Sequence, residues 1–529
     1  MKYTKEQLKK FKKDTLIEML LENQNQLEKI DQKLQLVLEQ LATMNRNRYG
    51  RSSEKMVSEN QLSFAELDSS HAFFNEAEAV AMEQEEKEET EKKKPKKHQG
   101  KREELITGLP VVVIEHTMSE KELTAEFGEK SWKQLPDEIY HRYRFTPAKL
   151  EVEEHHVAVY ASKKDFHMKK ADHPKSLMRN SLVSPSLEAA IMNGKYVNAL
   201  PLYRMEQDFK RYGMEVSRQN MANWTIQCAE RYLAVLYDYM KEKLNEYHVI
   251  QADETPVLVN KDGRTAGSKS YMWVYRTGKM YHEKAIVLYD YQMTRNTSHP
   301  REFLKGFDGI CVTDGYQVYH TLEREREDLT IAGCWAHARR RYDEACKALP
   351  KNKRKDSLAY QALFQIQAIY REEQKLKHLK PEERVHCRQL SVKPLVEAYF
   401  SWVREHEHEV LPKSKTAKGF SYSLNQEKYL KVFLEDGEVP MDNNAAEQSI
   451  RGFCIGKKNW VMIDTIAGAK SSAIIYSIAE TAKANNLKPY DYFEYLLTEI
   501  PEHLDDTSRD FCEDLLPWSP KLPESCRKQ

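Results

Sequence analysis

Three acidic residues are set where chemistry can be done. Asp253 lies inside the β-type run HVIQADETPVLV, Asp314 closes GICVTDGY just before Gly315, and Glu447 follows two amides in DNNAAEQSIR. Carboxylates are hard oxygen donors. Brought together, Asp253, Asp314 and Glu447 would form an oxygen-only cluster suited to a divalent cation such as Mg2+ or Mn2+. Two such ions about 4 Å apart activate an attacking water or hydroxyl and stabilise the leaving oxygen of an in-line displacement at phosphorus. The corresponding reactions are nucleic-acid cleavage and strand transfer. Singly, each acid is a weak signal, because Asp290, Asp308 and Asp343 occupy similar settings. Glu447 and Arg451, four apart on one helical face, also fit a surface ion pair worth about 0.2–0.5 kcal/mol. Asp442 is a rival for the third acidic position.

A site that acts on a polyanion needs cations beside it. CWAHARRRY supplies His337, Arg339, Arg340 and Arg341, and the stretch after Glu447 supplies Arg451, Lys457 and Lys458, all suited to phosphate oxygens. Trp335 and Trp460 read as packing residues rather than base-stacking ones. Upstream, residues 185–240 have helical patterning, with the turn RYGMEV between two of the helices. Gly213 suits the left-handed geometry of a tight turn, and the Ser217 hydroxyl suits a helix cap. With Met205, Phe209, Val216, Met221 and Trp224 inward, Arg218, Gln219, Asn220 and Asn223 are left outward. This is helix-turn-helix grammar, with side chains that can hydrogen-bond base edges.

The elements that must hold these groups are spread over 529 residues, too many for one compact core, so several units are expected. The 82 basic and 82 acidic side chains balance, which excludes a uniformly basic protein and leaves local basic surfaces. Eight cysteines without a CxxC pair, and no apolar run of signal-peptide or membrane type, lead to reduced thiols, no membrane partner and a cytoplasmic location beside nucleoid DNA. Apolar residues recur in steps of four and three through Leu16, Leu20, Leu27, Ile30, Leu34, Val37, Leu41 and Met44, with Asn23 in the seam. A sustained heptad predicts a coiled coil and self-association, with Asn23 fixing register. Residues 76–102 are acidic, then basic, with almost nothing apolar to bury, as in a disordered tether. PVVVIEH and KLEVEEHHVAVYA predict a small β-rich module, in which His155, His156 and His167 read as surface histidines. From Tyr247, three short β-runs, a helical stretch and a fourth run predict an α/β core, with Asp314 at a strand end where functional groups gather.

In order along nearly the whole chain come GRSSEK, PSLEAAIMNGKYVNALPLYRMEQDF, QADETPVLV, TDGY, CWAHARR, DNNAAEQSIR, GKKNW, ETAKANNLKPYDY and LLPW. In these motifs the chain resembles the transposases of the bacterial insertion sequence 66 family. The resemblance implies a ribonuclease H-like core of the DDE class, with Asp253, Asp314 and Glu447 at the three acidic positions. It also implies metal-dependent hydrolysis at the element's ends, followed by attack of the freed 3′-hydroxyl on target DNA. Double-stranded DNA is then a partner, and accessory proteins encoded by the element are possible ones. The stretch between Asp314 and Glu447 is far longer than a minimal core needs, so it reads as a helical insertion that contacts DNA or a partner protomer. Family members often carry cysteine pairs ahead of the helix-turn-helix; LTAEFG (123–128) and YASKKD (160–165) stand there instead, so no zinc is expected.

The expected organisation is a multidomain α/β chain. It comprises a coiled coil (1–48), a charged flexible linker (49–104), the β-rich module (105–170), the helix-turn-helix region (171–243) and the first part of the core (244–350). The helical insertion (351–438), core completion (439–487) and C-terminal tail region (488–529) follow. Two competing readings are a catalytically inactive DNA-binding regulator or transposase relic, and a coiled-coil scaffold without DNA. The first need not keep all three acids, and the second leaves the basic motifs unused.

Overall fold

The computed structural model describes residues 149–161, 168–171, 175–179, 181–265, 267–350 and 354–528, with isolated positions at 13, 20–22, 121 and 125. Leu20 is helical and exposed; the other heptad residues, Asn23, Leu27, Ile30, Leu34, Val37 and Leu41, lie outside the described residues, as do His167 and the linker. The chain divides into two units. One contains Lys175–Asp208 and Glu215–Lys528, and the other contains Glu76–Pro174 and Phe209–Met214.

In the second unit the described strands form one short antiparallel hairpin, β1 (Val159–Ala161) with β2 (Met168–Lys170), in the register Val159↔Lys170. Residues 149–158, predicted as strand, have no regular structure. Their alternation is of exposed charged side chains with few apolar ones to bury. His155 and His156 are exposed and lie beside Glu153 and Glu154 at 3.3 and 3.0 Å, as surface histidines do.

Next in chain order come four helices: α1 (Pro185–Met192), α2 (Leu202–Arg211), which passes into the second unit at Phe209, α3 (Arg218–Cys228) and α4 (Ala234–Leu244), the last two in the larger unit. The turn before α3 has Gly213 at φ +86°, and the Ser217 hydroxyl caps α3 by accepting from Asn220 N at 3.1 Å. The sheet follows: β3 (Val249–Lys261), β4 (Lys269–Thr277) and β5 (Val287–Gln292); then α5 (Ser298–Phe303), β6 (Gly309–Thr313), α6 (Gln317–Glu325), β7 (Leu329–Gly333) and α7 (Trp335–Ala348). The helices α8 (Leu358–Lys375), α9 (Pro381–Cys387), α10 (Lys393–His406) and α11 (Lys415–Lys431) come next. The chain returns to the sheet with α12 (Asn444–Trp460) and β8 (Ile463–Thr465), and closes with α13 (Ile466–Ala484), α14 (Pro489–Glu499) and α15 (Phe511–Leu515). Among the described residues, no helix is long and apolar enough to cross a membrane.

Spatial strand order is β5-β4-β3-β6-β7, with β4 antiparallel to both β3 and β5, β6 parallel to β3 and β7 parallel to β6. The long β3 is therefore central. Its first residues pair with β6, and its far end pairs with β8 through Val259↔Ile463. At the other margin, β5 would leave backbone groups open. Two hydroxyls of α13 close them: Ser477 accepts from Tyr289 N at 2.7 Å, and Thr481 accepts from Val287 N at 3.0 Å.

Residues 354–438, the described part of the segment read above as an insertion, are mostly helical and have a core of their own against α7. Trp335, Tyr342, Tyr399, Phe400 and Phe420 are buried there. Its deepest charge is Arg388, 1% exposed, which pairs with Glu373 and donates to the carbonyls of Phe433 and Asp436 at 2.6 and 2.7 Å. A methionine at this position would keep the bulk but leave Glu373 and two carbonyls without their donor. Arg388→Met is expected to destabilise by about 3–5 kcal/mol. Urea unfolding monitored by tryptophan fluorescence checks this, and a midpoint equal to wild type contradicts it.

Candidate active site

The ladder between β3 and β6 ends at the pair Gln251 and Val312, and Asp253 and Asp314 each follow two residues later on their own chain segment, close enough for Asp314 to act on the Asp253 carboxyl. Asp253 Oδ1 accepts from Glu254 N at 2.8 Å. Asp314 follows the last residue of β6, and the chain turns at once through Gly315, whose φ of +88° disfavours any side chain. Its carboxylate accepts from Tyr316 N at 2.9 Å, and its carbonyl accepts from the Tyr422 hydroxyl of α11 at 2.9 Å. A Cβ at position 315 would also come within 2.9 Å of Gln426 Oε1. The insertion therefore buttresses this turn.

Glu447 occupies the first turn of α12, 5% exposed. The amides before it dock the helix. Asn443 stands at the N-cap position, but its side chain does not cap; Nδ2 donates to Ala252 O at 2.7 Å, next to Asp253. Asp442 supplies the local turn instead, with Oδ1 accepting from Asn444 N at 3.1 Å, while its carbonyl accepts from Gln251 Nε2 at 2.9 Å. Two contacts tie the segment to α7: Trp335 N donates to Met441 O at 3.0 Å, and Asn443 N to Cys334 Sγ at 3.2 Å. Across the sheet, Arg276 donates to Ala445 O and Ser449 Oγ at 3.1 and 3.0 Å. Neither a cap propensity nor a periodicity would have shown these long-range bonds.

The charges are arranged unevenly. Arg340 of α7 grips both oxygens of Glu447, at 3.2 and 2.9 Å, and His337 Nδ1 is 3.6 Å from the same carboxylate. Burial nevertheless keeps His337 below the usual imidazole range, against the pull of Glu447 and Asp314. Asp253 has no such cation. Burial, then Glu254, Asp314 and Glu447, push its carboxyl well above the ordinary carboxylate range. Glu254, which the motif reading passed over, is also raised, to about 7, by burial and Asp314. Its oxygen Oε1 accepts from Arg295 Nε at 2.8 Å, and that guanidinium lies 3.6 Å from the Tyr316 ring centroid. An acid inside a β-run next to Asp253 was the available signal for this support.

Among the described residues, ligand atoms of Cys334, His337 and Glu447 lie within 4.8 Å of one another. Burial pushes the Cys334 thiol up, so the neutral SH is favoured over a thiolate ligand. The donors able to carry negative charge toward a cation are therefore carboxylates, as the chemistry of a hard divalent ion requires.

Of the cations expected to meet phosphate, Arg340 is committed to Glu447, and Lys457 Nζ donates to Pro256 O at 2.7 Å. Arg341 is exposed, its guanidinium 4.4 Å from the Tyr422 ring centroid. Arg339 and Arg451 are half-buried, the latter with its guanidinium lowered by burial; Lys458 is exposed. Arg218, Gln219, Asn220 and Asn223 are all exposed on α3, while Met221 on its other side is buried.

Comparison with known proteins places the chain among transposases. It belongs to the Transposase IS66 family, whose model matches residues 180–471, more than half of the chain. The model described as Transposase C of IS166 homeodomain matches residues 37–114, and that of the IS66 C-terminal element matches 477–518. The chain is also similar to two uncharacterized proteins of Sinorhizobium fredii. It is 31% identical to y4qI over 65% of this chain and 64% of that protein, and 26% identical to y4jD over 66% and 69%. The match thus spans just under two thirds of the first relative's length.

A carboxyl whose folded value is raised favours the fold while protonated, so its contribution is present at low pH and lost as pH rises through the folded value. Metal-free Asp253→Asn is therefore expected to melt higher than wild type at pH 8 and to show a flatter decline between pH 5 and 8. Thermal melts in chelator check this; parallel curves for the two proteins contradict it.

Proposed function

We propose that the chain is a DDE transposase that binds the ends of its element, hydrolyses phosphodiesters there and joins the freed 3′-hydroxyls to target DNA. The observation that carries this reading is that Asp314, at the end of β6, and Glu447, at the start of α12, both act electrostatically on the buried carboxyl of Asp253 in β3. The strand order supports reading residues 244–350 and 439–487 as a ribonuclease H-like core interrupted by the insertion. The charge imbalance around Asp253 supports divalent cations as its complement, since three carboxylates act on it while the arginines pair with Glu447 and Glu254.

Asp253, Asp314 and Glu447 would hold the ions, Mg2+ or Mn2+, in a pair. Bound there, they supply activation of the attacking oxygen and stabilisation of charge at phosphorus. The chain's own work is positioning. Asn443 and Gln251 fix the start of α12 against β3, Gly315 and Tyr422 present Asp314, and Arg340 with His337 orients Glu447. Exposed Arg341 and Lys458 suit phosphate contact, and the exposed face of α3 suits base edges in a major groove. Self-association through the heptad of residues 16–44 would bring two such sites to paired ends. The segment 105–170 lies ahead of the first cysteine, Cys228, so we assign zinc no role in it.

Cleavage and joining of duplex carrying the element's terminal repeat, in Mg2+ or Mn2+, tests the reading. Asp314→Ala and Glu447→Ala are expected to lose more than about a hundredfold in rate, since even outer-shell changes at metal sites cost 10–100-fold. Variants that cut as fast as wild type refute the acidic assignment. Loss of cutting by every protein, wild type included, with binding of the ends retained, favours a non-catalytic regulator. For the phosphate role, Lys458→Ala is expected to lower the salt slope of binding by about one unit. An unchanged slope would return Lys458 to the solvated surface.

A further inference from the structure

Beyond the far end of α12, a cavity of about 240 Å³ opens between the turn after α1, the start of α2, α3, β8 with its Asp464, and the start of α13. Tyr196 and Trp460 contribute aromatic walls, Ala222 and Ile226 contribute the α3 side, Ile463 is apolar, and Ser472 carries a hydroxyl. The volume is below the roughly 300–1,000 Å³ of sites for drug-sized ligands, so the occupant is limited to one small ring system. Just past Trp460, Val461 and Met462 are 58% and 43% exposed, and Val461 holds φ +65°, a conformation β-branched residues rarely adopt. Lys457 and Lys458 precede this apolar tip by one turn, and Lys195 lines the cavity.

We propose that the cavity receives a single nucleobase unstacked from bound DNA, with Val461 and Met462 as the wedge that takes its place. The inference rests on the transposase reading above and adds a binding site to it. Placement favours DNA over any other source of a planar ring. Exposed Gln219 and Asn223 lie on the same helix as Ala222 and Ile226, so a duplex held by α3 lies over the cavity. The helix carrying Glu447 ends at Trp460, thirteen residues or about 20 Å further along. At about 3.4 Å per phosphate, the extruded base lies within roughly six nucleotides of the cut. A planar base suits stacking between aromatic and apolar walls, an apolar wedge fills the gap in the stack, and basic residues hold the flanking phosphates. Trp460, half-buried unlike Trp335, thus has a free part that packing does not use.

The test uses the full chain and duplex carrying the terminal repeat, with one 2-aminopurine placed in turn at each position around the cut, in calcium. Expected is a rise in fluorescence at one position within about six nucleotides of the cut, accompanied by permanganate reactivity when thymine stands there. Ala222→Phe, which fills the cavity from α3, is expected to abolish that rise and slow cleavage about tenfold in magnesium, in line with the loss of one base stacked on an aromatic side chain. An abasic nucleotide at the same position is expected to restore its rate, which no folding defect would allow. Tight binding of an undistorted duplex overturns the base site alone, as does an Ala222→Phe defect that the abasic duplex leaves unchanged. Failure of wild type to bind the repeat overturns the transposase reading and the base site with it.

Discussion

Carboxylates crowded into a poorly hydrated place raise one another's proton affinity, and that repulsion is what the rest of this fold has to contain. Asp253 has Glu254, Asp314 and Glu447 as its charged neighbours, and no arginine of its own. The surrounding structure does not relieve the repulsion by spreading the acids apart. Instead, bonds to neutral groups hold each backbone in place: Asn443 to Ala252, Gln251 to Asp442, and Tyr422 to Asp314. Neutral clamps can fix position without cancelling the charge. The arginine partners go to Glu447 and Glu254 instead, which leaves the raised carboxyl of Asp253 as the least neutralised of the group.

The helical segment 354–438 serves the same end. A turn at Gly315 is flexible by itself, and the carbonyl of Asp314 would face solvent without a donor. Helix α11 supplies Tyr422 to that carbonyl and places Gln426 against Gly315, while its other side is buried with Tyr399 and Tyr342 through Ser423. Rigidity therefore passes from the insertion's own core to one carboxylate. The segment that seemed redundant for a minimal core carries part of the cost of holding like charges together.

Much of this was legible in the chain. A run rich in β-branched residues announced β3, an Asp-Gly closing a β-run announced the Asp314 turn, and Ser217 and Gly213 announced the entry to α3. These signals are local, and local chemistry fixes them. What could not be read was long-range: Asn443 stands at a helix start, where asparagine usually caps, yet its amide is drawn to a β3 carbonyl that no cap rule mentions. Glu254 was overlooked because an acid next to an acid reads as solvated charge, whereas a buried strand face and Arg295 hold it in place. The alternation over 149–158 predicted strand and failed for the opposite reason: its period was right, but its side chains are mostly charged and exposed, with no apolar face to bury.

The helix that carries Glu447 shows how a single element separates opposite charges. Sequence spacing made Arg451 the natural partner of Glu447, since residues four apart share a face. The fold brings Arg340 to both oxygens of Glu447 from a different helix, while Arg451 stays near enough for Glu447 to act on it. Two further cations of α12, Lys457 and Lys458, stand at its far end, where they meet the negative pole of the helix dipole. Acid at the first turn and base at the last are each stabilised by that dipole, so the distribution is favourable before any ligand arrives. A helix of seventeen residues is long enough, at about 25 Å, for the two ends to act on different parts of one extended polyanion.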